Sequence, residues 1–303
     1  MVSEKAFKHS FIVFGETVWD VFPDEKRLGG APLNFAYYFL KAGGEPFIIS
    51  AVGKDELGEQ ALKKISGLGL DISGITENGL PTGTVDIRME GGRHRFRIIR
   101  GTAWEALVNN IDDKKIARAS GLYVGTLARI SKQNEALSNT LLDCFKGRVI
   151  FLDVNLRSTL FSRHDIGYLL QRVTHVKMNE KEARLLQKMG YLKATTFEGM
   201  ARELIGLHSI EACCITLGRR GAVGAHRASG VVKVKGIPAK SGGDSVGAGD
   251  GFAAFWIHSL LSGCSMQVTM DKSNTIGCSI ASSKGAILDP AYFSGQQRPV
   301  KSE

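Results

Sequence analysis

The segment HVKMNEKEARLLQKMG (175–190) decides the fold, because a compact apolar run leads directly into a helical pattern. HVKMN is typical of a buried strand, and the residues after it have their apolar side chains at helical spacing. The same order recurs at FIVFG (11–15), RVIFLDVN (148–155) and ACCITLG (212–218). Apolar strands that alternate with helices indicate a parallel sheet covered on both faces. The sequence therefore predicts a three-layer α/β fold with a mainly parallel central sheet.

One region, 81–103, departs from this alternation. Its strands GTVDIRME (83–90) and RHRFRIIR (93–100) flank Gly91-Gly92, a pattern that predicts a β-hairpin. Arginines at every second position of the latter strand share one face. This hairpin is either a lid over a cleft or an exposed ribbon with a solvated arginine face. It can also serve as an interface between two copies of the chain.

Composition excludes several classes of protein. The chain has 303 residues, 43% hydrophobic and 23% charged, as in an ordinary globular protein. Its apolar runs are far shorter than the roughly 20 residues that cross a bilayer, and MVSEKAFKHS (1–10) lacks the apolar core of a secretory signal. We therefore expect a cytoplasmic protein without membrane contact.

The charged residues, cysteines and histidines form no recognised nucleic-acid-binding or metal-binding motif. The net charge of +9 suits nucleic acid or a small anion, but no zinc-finger or RRM spacing is present, so no nucleic-acid partner is expected. The five cysteines form no CxxC pair, which favours reduced thiols over a disulfide framework. Scattered histidines argue against a transition-metal enzyme.

The densest glycine cluster is GGDSVGAGDG (242–251), and it runs directly into the apolar stretch FAAFWIHSLL (252–261). It therefore lies at the amino terminus of a buried helix, where free N–H groups and the helix dipole bind anions. Asp250 would repel an anion there. It is either a simple helix cap or a general base that accepts a proton from an attacking hydroxyl.

The segment DSVGAGDGF (244–252) resembles the DTxGAGDxF signature of the ribokinase-like (PfkB) sugar kinases, and GGAPLNFA (29–36) resembles their GGxxxNxA signature. The two occur in the family's order, roughly 210 residues apart. The resemblance implies one ribokinase-like domain over 1–303, with lid segments at about 16–32 and 81–103. The polar end of the chain (294–303) is expected to be a flexible tail.

The resemblance also assigns the catalytic and nucleotide sites. Asp250 would be the catalytic base, and the backbone amides of Gly247, Ala248, Gly249 and Asp250 would form the anion hole. MNEKE (178–182) resembles the NxxE motif, which implies that Glu182 contacts Mg²⁺ through water. The implied ATP contacts are Asn179, Thr216, Gly218, Gly221 and Asn274. The implied monovalent cation site, for which potassium is the candidate, comprises Asp244, Val246, Ile280, Ser283, Gly285 and Asp289.

The expected sugar contacts follow from the same resemblance. Family members hold sugar hydroxyls with a carboxylate after the first strand, here Asp20 in GETVWD (15–20). Gly29 and Gly30 would bring backbone close to the sugar. Asn34 is either a sugar contact or the cap of a helix over 34–43.

The stretch FLDVNLRSTLF (151–161) resembles the DxNLRxxLW stretch of fructokinases and 2-keto-3-deoxygluconate kinases. Arg157 and Arg100 are therefore expected to contact either a substrate carboxylate or the phosphates of ATP. We expect an ATP-dependent kinase acting on a primary sugar hydroxyl, with fructose first. The alternatives are 2-keto-3-deoxygluconate, ribose or a nucleoside as acceptor, and a non-catalytic regulator that binds sugar or nucleotide. Departures at Ser245, Val246 and Gly251 put the substrate and the cation requirement in question.

Overall fold

A computed structural model describes residues 9–90, 93–110, 112–157, 160–207 and 210–294. The predicted turn at Gly91-Gly92 and the tail from residue 295 onward lie outside the described residues. The strands of the described part are β1 (Ser10–Phe14), β2 (Val18–Val21), β3 (Lys26–Gly29), β4 (Glu45–Gly53), β5 (Ile75–Asn78), β6 (Gly83–Glu90), β7 (Arg93–Ile98), β8 (Gly121–Gly125), β9 (Val149–Asp153), β10 (His175–Asn179), β11 (Ala212–Thr216), β12 (Ala222–His226) and β13 (Gly230–Val234).

The helices follow most of these strands, in the order that the apolar pattern predicts. They are α1 (Ala31–Lys41), α2 (Glu56–Gly67), α3 (Asp113–Arg118), α4 (Lys132–Cys144), α5 (Arg163–Leu170), α6 (Glu180–Lys188), α7 (Phe197–Gly206), α8 (Ala248–Leu261), α9 (Met266–Ala281) and α10 (Ala291–Ser294).

The central sheet has nine strands in the order β13-β12-β11-β10-β9-β8-β1-β4-β5. The seven strands from β11 to β5 run parallel, and β12 and β13 are antiparallel at one edge. The α/β class and the mainly parallel sheet are thus confirmed.

Two hydrophobic cores cover the two faces of this sheet. Along β1, Phe11 and Val13 enter one core and Ile12 and Phe14 enter the other, because successive strand side chains point to opposite faces. Helices α1, α8 and α9 contribute to the first core, and α4 to α7 contribute to the second. A strand buried on both sides explains why β1 is apolar without alternation.

A second sheet of four strands, in the order β3-β2-β6-β7, is separate from the central sheet. Strands β6 and β7 form the expected antiparallel pair, and β2 joins β6 in parallel. Across this pair Arg97 donates to Asp86 at 2.8 Å. We call these four strands the lid sheet.

The structure differs from the sequence-based expectation at the start of α1. The helix begins at Ala31 and not at Asn34, with Gly30 as its cap and Pro32 in its first turn. Proline suits that position, because its fixed φ is helical and its missing N–H would be unpaired there.

Within the described residues, no helix is long and apolar enough to cross a membrane. All five cysteines are free thiols. The described part of the chain contains no cluster of three or more His, Cys, Asp or Glu side chains arranged to hold a metal ion.

Candidate active site

Polar residues collect where the parallel strands end. Glu16 follows β1, whereas Asp153, Asn179 and Thr216 are the last residues of β9, β10 and β11. Asn179 and Thr216 are directly paired in the ladder between β10 and β11. Ligands of open α/β sheets bind outside this edge, so it is the candidate active site.

Helix α8 begins at the same edge. A Cβ atom on Gly249 would lie 3.0 Å from Nζ of Lys177, which belongs to β10. Gly247 caps the helix with a φ of 76°, a left-handed conformation that favours glycine. The amino terminus of a helix carries about half a positive unit charge, so this end of α8 suits an anionic group.

The four residues assigned to the anion hole are not equivalent. The N–H of Ala248 donates to the Ser245 carbonyl at 3.3 Å, and the N–H of Asp250 donates to the Gly247 carbonyl at 3.1 Å. Among the described residues, the N–H groups of Gly247 and Gly249 make no such bond to a loop carbonyl. These two are therefore the better placed to bind a ligand.

Asp250 is held by Asn34. Nδ2 of Asn34 donates to Oδ2 of Asp250 at 2.8 Å, across the packed helices α1 and α8. Asn34 is buried inside α1, so the alternative that it caps a helix is wrong. Its Oδ1 is buried and has no hydrogen-bond partner in the described part of the chain. A buried acceptor without a partner is costly, which indicates that a ligand group can bind there.

Asp20 lies on β2 of the lid sheet, opposite Arg27 of β3. A Cβ atom on Gly29 would approach its Oδ2 to 3.3 Å, so glycine leaves this carboxylate room. Burial raises the pKa of Asp20 to about 6, and Arg157 opposes that rise. The carboxylate is therefore close enough to Arg157 for its pKa to respond to that charge.

Glu16 is an acidic residue of this site that sequence reasoning missed. Its side chain is buried, and burial raises its pKa to about 7 while Arg157 opposes the rise. The negative charge of Asp250 also contributes to the raised pKa of Glu16. The sequence feature that could have identified Glu16 is its position just after the first strand, in the segment GETVWD (15–20) that also contains Asp20.

Arg157, whose charge acts on the pKa of both carboxyl groups, lies in the loop after β9. Asn155 in that loop has a φ of 33°, a left-handed conformation that asparagine tolerates better than most residues. The N–H of Leu156 donates to Oε1 of Glu182 at 3.1 Å, which anchors the loop to α6. Arg100 instead binds Oε2 of Glu105 at 2.8 and 3.0 Å, so its predicted substrate contact stays a prediction.

A buried ion pair that sequence reasoning also missed lies under the start of α8. Nζ of Lys177 binds the two carboxylate oxygens of Asp153 at 3.1 and 3.2 Å. The two side chains are 7% and 1% exposed. Burial alone would lower the pKa of Lys177, but the carboxylates of Asp153, Glu182 and Asp250 raise it overall. A protonated lysine therefore lies next to Gly249.

On the nucleotide side, Asn179 and Glu182 form a capping box at the start of α6. Oδ1 of Asn179 accepts from the N–H of Glu182 at 3.0 Å, and Oε2 of Glu182 accepts from the N–H of Asn179 at 2.7 Å. Both oxygens of Glu182 are thus bound to backbone N–H groups, which fits a contact to magnesium through water better than direct coordination.

The remaining predicted nucleotide residues follow β11 or lie on α9. Thr216 ends β11, and Gly218 and Gly221 flank a 3₁₀ turn with φ values of 58° and 99°. Nδ2 of Asn274 donates to the Lys235 carbonyl at 2.7 Å. These residues share the sheet edge or its neighbouring loops, and their contacts with ATP stay predictions.

The predicted cation residues cluster between the loop before α8 and the end of α9. Oδ2 of Asp244 accepts from the N–H of Gly285 at 2.9 Å and from Nη1 of Arg27 at 2.8 Å. Oδ1 of Asp244 accepts from the N–H of Val246 at 3.3 Å. Arg27 was not part of the sequence-based assignment.

Three other groups of the predicted cation site also have protein partners. The Ser283 carbonyl accepts from the N–H of Asp244 at 3.0 Å, and the Ile280 carbonyl accepts from the N–H of Ser283 at 2.9 Å. Oδ1 of Asp289 accepts from the N–H of Ala291 at 2.8 Å.

Comparison with characterised sequences identifies relatives over nearly the whole chain. A fructokinase of Salmonella typhimurium is 26% identical over 305 residues, covering 92% of this chain and 95% of its own. A 5-dehydro-2-deoxygluconokinase of Clostridium perfringens (strain ATCC 13124) is 24% identical over 291 residues, covering 92% of this chain and 85% of its own.

Solved structures share the fold. A PfkB protein from Polaromonas sp. JS666 aligns with a TM-score of 0.77 at 26% identity, covering 91% of this chain and 96% of its own. A ribokinase II of E. coli in complex with ATP and Mg²⁺ has a TM-score of 0.78 at 20% identity, with coverages of 92% and 94%. A fructokinase of Vibrio cholerae O395 with bound fructose, ADP and calcium has a TM-score of 0.76 at 20% identity, with coverages of 95% and 98%.

The family described as pfkB family carbohydrate kinase matches residues 2–291. With the sheet order, the glycine-rich helix start and these relatives, that match confirms the resemblance read from the two signatures. The chain belongs to the pfkB family of carbohydrate kinases, and it is a phosphotransferase that acts on a hydroxyl acceptor.

Proposed function

We propose that the protein transfers the γ-phosphoryl group of ATP to a primary hydroxyl of fructose or a closely similar neutral ketose. The observation that carries this proposal is the contact between Asn34 and Asp250, beside the carboxyl groups of Glu16 and Asp20. This arrangement combines a general base, Asp250, with hydrogen-bond acceptors that can bind several sugar hydroxyls.

In the proposed reaction, Asp250 accepts the proton of the attacking hydroxyl. The hydroxyl oxygen forms a bond to the γ-phosphorus while the bond between that phosphorus and the ADP oxygen breaks, giving a sugar phosphate and ADP. Asn34 holds Oδ2 of Asp250, which leaves Oδ1 for the substrate. The N–H groups of Gly247 and Gly249 would bind the transferring phosphoryl group, where negative charge is concentrated.

ATP and magnesium enter the proposal through the nucleotide side of the site. The ribokinase II neighbour binds ATP and Mg²⁺, and the fructokinase neighbour binds ADP and fructose. Magnesium would neutralise phosphate charge, held through water by the carboxylate of Glu182. Thr216, Gly218, Gly221 and Asn274 would line the nucleotide, and Asn179 would keep Glu182 in position through the capping box.

The charges near the sugar side favour a neutral acceptor over a keto acid. Burial and the negative charge of Asp250 raise the pKa of both Glu16 and Asp20, and the positive charge of Arg157 opposes both rises. A substrate carboxylate would compete with these groups for Arg157 and would be repelled by them. Sugar hydroxyls, in contrast, can donate to each carboxylate.

The second candidate is a keto-acid sugar such as 2-keto-3-deoxygluconate or 5-dehydro-2-deoxygluconate. One observation favours it: Arg157 is exposed and its charge acts on the pKa of Asp20, so a bidentate contact between Arg157 and an acid group of the substrate is possible. The Clostridium relative that carries such an activity in its name also covers most of the chain.

A substrate panel tests the proposal. Release of ADP is measured with fructose, 2-keto-3-deoxygluconate, 5-dehydro-2-deoxygluconate, ribose and a nucleoside, and we expect the highest kcat/KM with fructose. A higher kcat/KM with either keto acid would replace fructose by the second candidate. Sugar binding without ADP release on any member of the panel would favour the non-catalytic regulator.

Three further sequence-based hypotheses stay predictions: residence in the cytoplasm, a homodimer through the lid sheet, and closure of the lid over bound sugar. The lid segments at about 16–32 and 81–103 contain the four strands of the lid sheet. Lid closure would exclude the water that competes with sugar as the phosphoryl acceptor.

A further inference from the structure

Arg27 of the lid sheet reaches across to the loop that leads into α8. Its Nη1 donates to Oδ2 of Asp244 at 2.8 Å, although the two residues are 217 positions apart in the chain. The guanidinium also forms an ion pair with Glu25 and stacks on the ring of Phe22, 4.7 Å from the ring centroid. Three contacts therefore hold this side chain in one orientation.

Asp244 lies close to the phosphate end of the site. It precedes the α8 cap, Gly247, by only three positions, and a carboxylate there would repel the phosphates of ATP if it had no counter-charge. Its side chain is only 27% exposed, so water screens that repulsion incompletely. The site therefore needs a positive charge next to Asp244.

Arg27 supplies that charge. Oδ2 of Asp244 already accepts from Arg27 and from the N–H of Gly285, and Cδ and Nη1 of Arg27 pass within 3.6 and 3.8 Å of a Cβ built on Gly285. Two unit positive charges 4 Å apart repel by about 4 kcal/mol near a protein surface. The arrangement with Arg27 in place does not fit the predicted potassium site.

We propose that Arg27 is the built-in cation of this kinase, a positioning residue that takes the place of a monovalent metal ion at Asp244. It neutralises Asp244 and holds the loop before α8, and turnover is independent of potassium. The proposal rests on the proposed kinase site, but it does not depend on which sugar is phosphorylated.

The position of Arg27 on the lid sheet gives this contact a second consequence. Arg27 is paired with Asp20 in the ladder between β2 and β3; burial raises the pKa of that sugar-side carboxylate, and the charge of Arg27 opposes the rise. The ion pair with Asp244 forms only when β3 lies against the loop. Closing the lid over the sugar would thus bring Arg27 against Asp244 and neutralise that carboxylate beside the anion hole.

The experiment compares the wild-type protein with Arg27→Met, in buffers whose cation is choline, potassium or guanidinium at one ionic strength. For the wild type we expect kcat to be the same in choline and potassium. For Arg27→Met in choline we expect kcat to fall about 10- to 100-fold, as for a lost hydrogen bond to a charged group. Potassium or non-denaturing guanidinium should restore much of that loss.

Two variants control for general damage. Arg97→Met removes another lid arginine, whose partner is Asp86 within the lid sheet, and it should retain wild-type kcat and cation independence. Arg27→Lys keeps the charge and should stay independent of potassium. A wild type that potassium activates more than tenfold would overturn the proposal. An Arg27→Met variant whose kcat neither potassium nor guanidinium restores would also overturn it. An Arg27→Met variant with the same kcat as Arg97→Met would do so as well.

Thermal unfolding supplies a measurement that needs no substrate. A ligand that binds only the folded state raises Tm, so potassium in place of choline should raise the Tm of Arg27→Met more than that of the wild type. If no sugar in the panel were phosphorylated, the proposed function would be refuted, but the effect of potassium on Tm would still test the role of Arg27. Equal potassium effects on both Tm values would refute the role of Arg27.

Discussion

Two ion pairs flank the start of α8, and they differ in burial. Lys177 and Asp153 join neighbouring strands of the central sheet, and their side chains are 7% and 1% exposed. Arg27 and Asp244 join the lid sheet to a loop, and their side chains are 25% and 27% exposed. Each pair places one cation near the glycine-rich start of the helix, the candidate anion site.

The difference indicates two kinds of support for one site. Breaking a buried pair leaves a charge without water, so the Lys177–Asp153 pair must persist whenever the sheet is folded. The Arg27–Asp244 pair reaches solvent, and water can stabilise its partners if they separate. The first pair is thus a fixed part of the site, and the second is the one that can break at low cost.

The largest expected effect comes from the residue between the two pairs. Asp250→Asn keeps the shape of the side chain but removes the general base, and kcat should fall about 10³-fold. The free energy of unfolding should change little, because asparagine can still accept from Asn34. ADP release and urea unfolding measure the two quantities. A variant with wild-type kcat would show that Asp250 is not the base.

The second prediction tests the buried pair. Lys177→Met leaves Asp153 buried and unpaired, so the free energy of unfolding should fall by about 3–5 kcal/mol. Burial would keep the pKa of Asp153 above its unfolded value in this variant, so the folded state would bind more protons than the unfolded state. The variant's stability should therefore fall further as pH rises above about 4.

Two matched variants sharpen this test. Lys177→Met combined with Asp153→Asn removes the unpaired charge and should recover most of the stability. Lys233→Met breaks an exposed ion pair with Glu198, whose side chains are 59% and 32% exposed, and should cost less than about 1 kcal/mol. Equal losses in Lys177→Met and Lys233→Met would contradict the contrast between buried and exposed pairs.

The third and smallest prediction concerns the lid side. Asp20→Asn removes a charged acceptor, and KM for the sugar should rise about 10- to 100-fold, with KM for ATP unchanged. The raised pKa of Asp20, about 6, means that the wild-type carboxylate becomes neutral as pH falls below 6. The wild type should therefore bind sugar more weakly below pH 6. The sugar affinity of Asp20→Asn should not show this decrease. Titration of Glu16, with its pKa of about 7, is common to both proteins. If Asp20→Asn had the same KM for the sugar as the wild type, Asp20 would be excluded as a sugar contact.

The geometry around the predicted nucleotide residues follows largely from the sequence because those residues are local, and their contacts with ATP stay predictions. Asn179 and Glu182 are three positions apart, and the capping box between them follows from helix geometry. The carboxyl ends of parallel strands meet at one edge, so the strand pattern also places Thr216 correctly beside Asn179. The glycine-rich start of α8 follows from composition.

One departure from the family pattern, at Gly251, became understandable only from packing. Gly251 stands where the family commonly has alanine, and a Cβ there would lie 2.1 Å from Cδ1 of Ile280. The hydroxyl of Tyr38 donates to the Ala286 carbonyl at 2.8 Å and supports the segment next to Gly247. Neither contact has a signal in the periodicity of the chain.

The sequence by itself determined the α/β class, the glycine-rich start of α8 as a candidate anion site and Asp250 as candidate base, because each depends on residues close together in the chain. Only the tertiary structure joined Asn34 to Asp250 across 216 positions, Lys177 to Asp153 under the helix, and Arg27 to Asp244. Periodicity reports which face of an element is buried. The partner that a buried charge finds depends on sheet order and on the packing of distant segments, which periodicity does not encode.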